Sequence, residues 1–96
     1  MDFYKLAIKE IKRETKNAVS IVFNIPQELK SAYQFIAGQY VTLKLTLDGK
    51  ELRRAYSICS SPKSDEMRIA VKEVKNGTFS KFANTKLAVG DLLEVS

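Results

Sequence analysis

Tyr4, Leu6 and Ile8 alternate with Lys5, Ala7 and Lys9, the period-two spacing of a strand with one buried face. Val19, Ile21, Phe23 and Ile25 alternate in the same way with Ala18, Ser20, Val22 and Asn24. Pro26 closes this second strand, because its φ is fixed and it has no N–H to donate. Residues 26–37 read as a surface loop with a turn of helix. Beyond Gly38, the run Val41, Leu43, Leu45, Leu47 alternates with Tyr40, Thr42, Lys44, Thr46 and ends at Asp48-Gly49. That dipeptide is a strong hairpin signal, since both positions tolerate φ > 0. The return strand runs from about Lys50 to Ser60, and Pro62 stops it. Met67, Ile69 and Val71 mark a fifth strand, broken at Asn76-Gly77. Phe79, Phe82 and Ala83 fall at i, i+3 and i+4, which predicts a short amphipathic helix within Thr78 to Leu87. Gly90-Asp91 then turns into a last strand, Leu92 to Val95.

Six short strands with one helix before the last predict an all-β fold, a six-stranded antiparallel Greek-key barrel. One detail conflicts with a simple core. A two-residue turn at Asp48-Gly49 puts Arg54 and Tyr56 on the same face as Leu43 and Val41. Either that face meets something besides the core, or a bulge shifts the register by one.

At 96 residues the chain is sized for one domain spanning 1–96, and 45% apolar with 28% charged residues is ordinary globular composition. The absence of histidine removes imidazole bases, imidazole metal ligands and Ser-His-Asp chemistry. No metal site is expected. The single cysteine, Cys59, has no internal disulfide partner and reads as a small buried hydrophobe, in keeping with a reducing cytoplasmic setting. The opening Met1-Asp2-Phe3-Tyr4-Lys5 lacks the order of a signal peptide, and no apolar run approaches the ~20 residues of a membrane helix. The formal charge of +5 points to an anionic partner without choosing among a phosphate-bearing cofactor, an acidic protein and nucleic acid.

Two segments carry candidate chemistry. In Arg54-Ala55-Tyr56-Ser57, strand alternation points Arg54 and Tyr56 together. A guanidinium fork beside an aromatic ring suits a ligand with a phosphate and a flat ring system, and Ser57 adds a hydroxyl and an N–H. An arginine lying over a half-buried tyrosine on a solvated face accounts for the same residues. In Gly77-Thr78-Phe79-Ser80, the break and first turn of the helix offer free N–H groups and the positive end of the helix dipole. An ordinary helix cap accounts for that segment equally well. Lys72 and Lys75 raise the local potential just upstream.

Taken together, Arg54-x-Tyr56-Ser57, Val71-Lys72-Glu73-Val74 and Gly77-x-x-Ser80 resemble the flavin-binding domain of the ferredoxin–NADP reductase family. The lead-in Ala37-Gly38-Gln39-Tyr40-Val41 and the tail Leu87-x-x-Gly90-Asp91-x-Leu93-Glu94-Val95 fit the same pattern. The stretch from Arg54 to Pro62 is most similar to reductase components of bacterial oxygenases, those of phenylacetyl-CoA epoxygenation among them. Flavohaemoprotein reductase domains come next. The resemblance implies FAD as cofactor, with Arg54 on a flavin phosphate, Tyr56 stacked on the isoalloxazine ring and Ser57 near N5. It also implies backbone contacts from Ala55, Val71, Lys72 and Glu73, and a pyrophosphate received by Gly77, Thr78, Phe79 and Ser80. Ala37 departs from the family, which often has proline there.

The family draws hydride from NADH or NADPH held in a separate nicotinamide-binding domain, and passes electrons to an iron–sulphur or haem partner. Neither that domain nor an iron–sulphur domain fits in 96 residues. The resemblance therefore implies a piece of a longer oxidoreductase, not expected to turn over alone and able to dimerise through an uncovered face. A small basic barrel binding single-stranded nucleic acid through Tyr40, Tyr56 and Phe79 is the alternative. Its lysines, however, are spread along the chain and not clustered.

Overall fold

The computed structural model describes residues 2–64 and 66–96. Its strands are β1 (Tyr4–Thr15), β2 (Ala18–Asn24), β3 (Tyr40–Leu47), β4 (Lys50–Ser57), β5 (Arg68–Lys72) and β6 (Leu92–Val95). They form one antiparallel sheet in the order β4-β3-β6-β1-β2-β5. A 3₁₀ segment, Gln27–Tyr33, follows β2, and helix α1 (Thr78–Thr85) lies between β5 and β6. The last strand thus slots between two hairpins made much earlier in the chain, which is the Greek-key step. Tyr33 ties the 3₁₀ segment to that step by donating its hydroxyl to the Val95 carbonyl at 2.7 Å.

The sheet rolls around one core, with Leu6, Ile8, Ile21, Leu43, Ile69, Val71 and Val95 at or near full burial. These are the alternate positions of each strand, so the period-two pattern does select the inner face. The roll is not closed by a ladder. Among the described residues, the edge strands β4 and β5 meet at a single bridge between Ile58 and Ile69, where the Cys59 N–H donates to the Arg68 carbonyl at 2.8 Å.

Three departures from the periodicity have physical causes. First, β1 runs on to Thr15, well past the apolar alternation, because Ile11, Lys12 and Arg13 pair with Ile21, Ser20 and Val19. Second, β2 is covered on both faces. Ser20 and Val22 are buried although they alternate with the core positions. Ser20 gives its hydroxyl proton to Glu14 at 2.7 Å and accepts from Arg68 at 2.6 Å, so a polar network covers that side. Third, Cys59 is exposed and not buried. Ile58 occupies the core position, and alternation turns the next side chain outward.

The hairpin of β3 and β4 decides the register. Asp48 (φ 51°) and Gly49 (φ 78°) both take the left-handed conformations that a tight two-residue turn requires. The ladder runs without a bulge from Leu47↔Lys50 to Tyr40↔Ser57, placing Val41 opposite Tyr56 and Leu43 opposite Arg54. Val41 and Leu43 are buried, Tyr56 is half-buried and Arg54 is exposed. The inner face of the hairpin therefore leaves the core as it crosses from β3 to β4.

Candidate functional site

The site begins where β4 and β5 part. Alternate residues of a strand aim their backbone groups at opposite neighbours. Because the Ile58 N–H goes to Gln39 on the β3 side at 2.8 Å and the Cys59 N–H goes to β5, the backbone groups of Ala55 and Ser57 face the open edge. By the same rule Glu73, whose N–H reaches Asn17 at 2.6 Å, faces the β2 side, whereas the backbone of Lys72 faces the gap. Of the Val71-Lys72-Glu73 run, Lys72 thus offers its main chain most openly. The Val71 side chain is fully buried and its carbonyl accepts from Asn84 Nδ2 at 3.1 Å.

On the inner face at this edge stand Arg54 and Tyr56. Among the described residues no carboxylate pairs with Arg54, and its Nη1 donates only to the Arg53 carbonyl at 2.8 Å. The Tyr56 ring lies 5.7 Å from the Phe79 ring, tilted by 49°. This contact joins β4 to the start of α1. Burial raises the Tyr56 phenol above its ordinary pKa, partly offset by the positive charge of Arg54. Ser57 is exposed on the opposite face, across from Tyr40.

Helix α1 supplies the second half. Gly77 caps it and has no side chain to accept from the first amides, and the first turn holds no acidic residue. The amides of Thr78, Phe79 and Ser80 have no acceptor within the helix, so that end carries uncompensated positive dipole. Thr78 is exposed, while Phe79 and Ser80 are buried. The Ser80 hydroxyl accepts from the Val74 N–H at 3.1 Å and donates to the Gly77 carbonyl at 3.3 Å. What Ser80 has left to offer a ligand is its N–H.

Gly77 is required by space and not by φ, which is −83°. A Cβ there would collide with the Ser80 hydroxyl and a Val74 methyl. A groove of about 550 Å³, lined in part by Asp48, Glu73, Lys75, Thr78 and Lys81, opens between the hairpin tip and this helix start.

A model of the oxidoreductase FAD-binding domain family matches residues 5–96. The chain belongs to that family. One component of the 1,2-phenylacetyl-CoA epoxidase of Escherichia coli (strain K12) is 45% identical over 93 residues, covering 97% of this chain and 26% of the relative. The ferredoxin reductase component of the 3-ketosteroid-9-alpha-monooxygenase of Rhodococcus rhodochrous is 34% identical over 92 residues, 94% of this chain and 26% of the relative. The chain thus spans about a quarter of the length of these curated relatives. A ferredoxin NADP+ reductase from Neisseria gonorrhoeae, solved with bound FAD and NADP, has the same fold. Its TM-score is 0.83 at 23% identity, over 100% of this chain and 37% of that one.

The geometry fits the cofactor of an FAD-binding domain. A guanidinium with no carboxylate partner among the described residues, a half-exposed aromatic ring and an acid-free helix start converge on one parted sheet edge. The nucleic-acid alternative needs Phe79 as a stacking surface, and Phe79 is buried. Missing from the sequence-level picture are Arg13 and Asn84, which anchor α1 from behind. Neither lies in a recognisable motif, and only the fold brings them together across 71 positions.

Proposed function

We propose that this chain is the flavin-holding unit of a cytoplasmic NAD(P)H-dependent reductase. In the intact protein, reducing equivalents would enter from a nicotinamide-binding domain and leave one electron at a time for an iron–sulphur or haem partner. The similarity to components of an epoxidase and a monooxygenase supports an oxygenase as the consumer, in breakdown of aromatic compounds of the phenylacetate type. The observation that carries the reading is the contact of Tyr56, beside Arg54 on the inner face of β4, with Phe79 at the start of α1.

Bound FAD supplies the chemistry, accepting hydride and releasing single electrons. The residues supply grip and orientation. Arg54 neutralises a phosphate through its fork, and the amides of Thr78, Phe79 and Ser80 receive the pyrophosphate with the helix dipole behind them. Tyr56, stiffened from below by Phe79, presents a flat face for the ring system. The Ser57 N–H stands at the strand end as a donor toward the N5 side, its hydroxyl lying on the opposite face, and Ala55 and Lys72 line the parted edge with main chain. Gly77 keeps the loop tight enough for the helix start to reach the site.

Fluorescence titration of the purified chain with FAD tests this. Quenched flavin emission that saturates, and that Tyr56→Ala weakens while altering the bound spectrum, is the expected result. Emission unchanged by the wild-type chain would overturn the reading.

A further inference from the structure

Helix α1 has eight residues, too few to hold itself in water, where isolated helices need roughly 12–15. Its direction must therefore come from what it packs on. Phe79 and Ala83 bury one side of it, but apolar contact alone permits rocking about the helix axis. The polar ties are more exacting. Asn84, 7% exposed, donates through Nδ2 to the Val71 carbonyl of β5 at 3.1 Å and to the Ser80 carbonyl at 2.8 Å. Arg13 of β1 grips the same residue with both arms, Nη1 to Asn84 Oδ1 at 2.8 Å and Nη2 to the Asn84 carbonyl at 2.6 Å. Ser80 then continues the chain of bonds to Val74 and Gly77 at the other end of the helix. A guanidinium at the closing turn also suits the negative end of the helix dipole.

Asn84 stands in the closing turn of the helix, and its Oδ1, Nδ2 and main-chain carbonyl are all spent on fixed partners in α1, β5 and β1. We infer that Asn84, locked by Arg13, is a positioning residue for the cofactor's phosphates. It sets the rotation of α1 and thereby the aim of the Thr78, Phe79 and Ser80 amides. The inference rests on the reading of the helix start as the pyrophosphate seat. Hydrogen bonds weaken steeply as they leave alignment, so a small swing of the helix is felt more at the phosphate than at the ring stacked on Tyr56, which meets α1 only through a non-directional contact with Phe79.

The test compares FAD with riboflavin, which has the ring and no phosphate, on the full chain carrying Arg13→Ala, Arg13→Lys or Asn84→Ala. Fluorescence titration gives each affinity, and thermal unfolding without flavin gives each stability. Arg13→Ala and Asn84→Ala are expected to weaken FAD by about tenfold while leaving riboflavin within about twofold, the signature of lost charge-assisted donors. Arg13→Lys is expected to recover little, because one ammonium cannot serve both oxygens in a fixed fork. Equal weakening of both ligands, or a lowered Tm with an unchanged FAD-to-riboflavin ratio, would reduce the pair to structural support and overturn the inference. Arg13 is exposed, so its variants carry the test if Asn84→Ala fails to fold. A wild-type chain that binds FAD no better than riboflavin would instead remove the pyrophosphate seat itself.

Discussion

Arg54 is the residue at which patterning and purpose separate. It occupies an inner-face position opposite fully buried Leu43, yet it is exposed and has no acidic partner among the described residues. Removing it therefore leaves no orphaned carboxylate among them. Arg54→Ala should cost about 2 kcal/mol of FAD affinity, the value of a charge-assisted phosphate contact, with Tm held. Paired binding and thermal measurements check this, and unchanged FAD affinity would contradict the phosphate role. The tyrosines make a separate prediction. Burial holds the phenols of Tyr56 and Tyr33 above the ordinary value of 10.0. In the unfolded chain they ionise near that value, so between it and the raised native value the folded state binds more protons. The stability they contribute is complete below about pH 10 and is lost as the pH rises through the native pKa values. Urea unfolding from pH 8 to 11 should show this decline, and Tyr56→Phe should flatten it.

At the scale of elements, Gly77 decides how tightly β5 can turn into α1. Gly77→Ala forces a methyl against Ser80 and Val74, and overpacking of that kind costs about 1–3 kcal/mol. Urea unfolding should show that loss, with weaker FAD binding from the displaced helix start. Most elements were legible because their inner faces are simple. The alternations at Tyr4–Ile8, Val41–Leu47 and Met67–Val71, and the turn at Asp48-Gly49, name strands that the structure holds. The extension of β1 from Ile11 to Thr15 was not legible, because its charged residues are held by pairing with β2 and not by a periodic face of their own. Cys59 misled because burial depends on which residue after Tyr56 takes the core side, and Ile58 does. The motif residues proposed for the site are readable from order along the chain. The Arg13–Asn84 anchor is not, since it exists only after β1, β5 and α1 have packed.

Across the whole molecule, the two sides of the roll are held differently. On the β1–β2–β5 side, Arg68 binds Glu10 at 2.6 Å, Glu66 at 2.9 Å and the Ser20 hydroxyl at 2.6 Å, with Glu14 on the same serine. Its hydrogen bonds to Glu66, and then to Glu10, raise its pKa further, so it stays charged wherever the protein is folded. Arg68→Met strips two carboxylates and a buried hydroxyl of their common partner and should destabilise the chain by about 1–3 kcal/mol. A shift in the urea midpoint measures it, and a stability equal to wild type would make the network ornamental. That hold reaches the seam with β4 only at one end, where Ile58 is bridged to Ile69 and the Ser60 hydroxyl accepts from the Arg68 N–H at 3.0 Å; nearer the hairpin, β4 and β5 have no ladder among the described residues. Bare strand edges are templates on which another copy of the same strand can add. A cofactor lying in the gap would also shield the chain from growing into polymers. Light scattering of the flavin-free protein should then climb with concentration and subside when FAD is supplied, making the vitamin-derived ligand a solubility factor as well as a redox one.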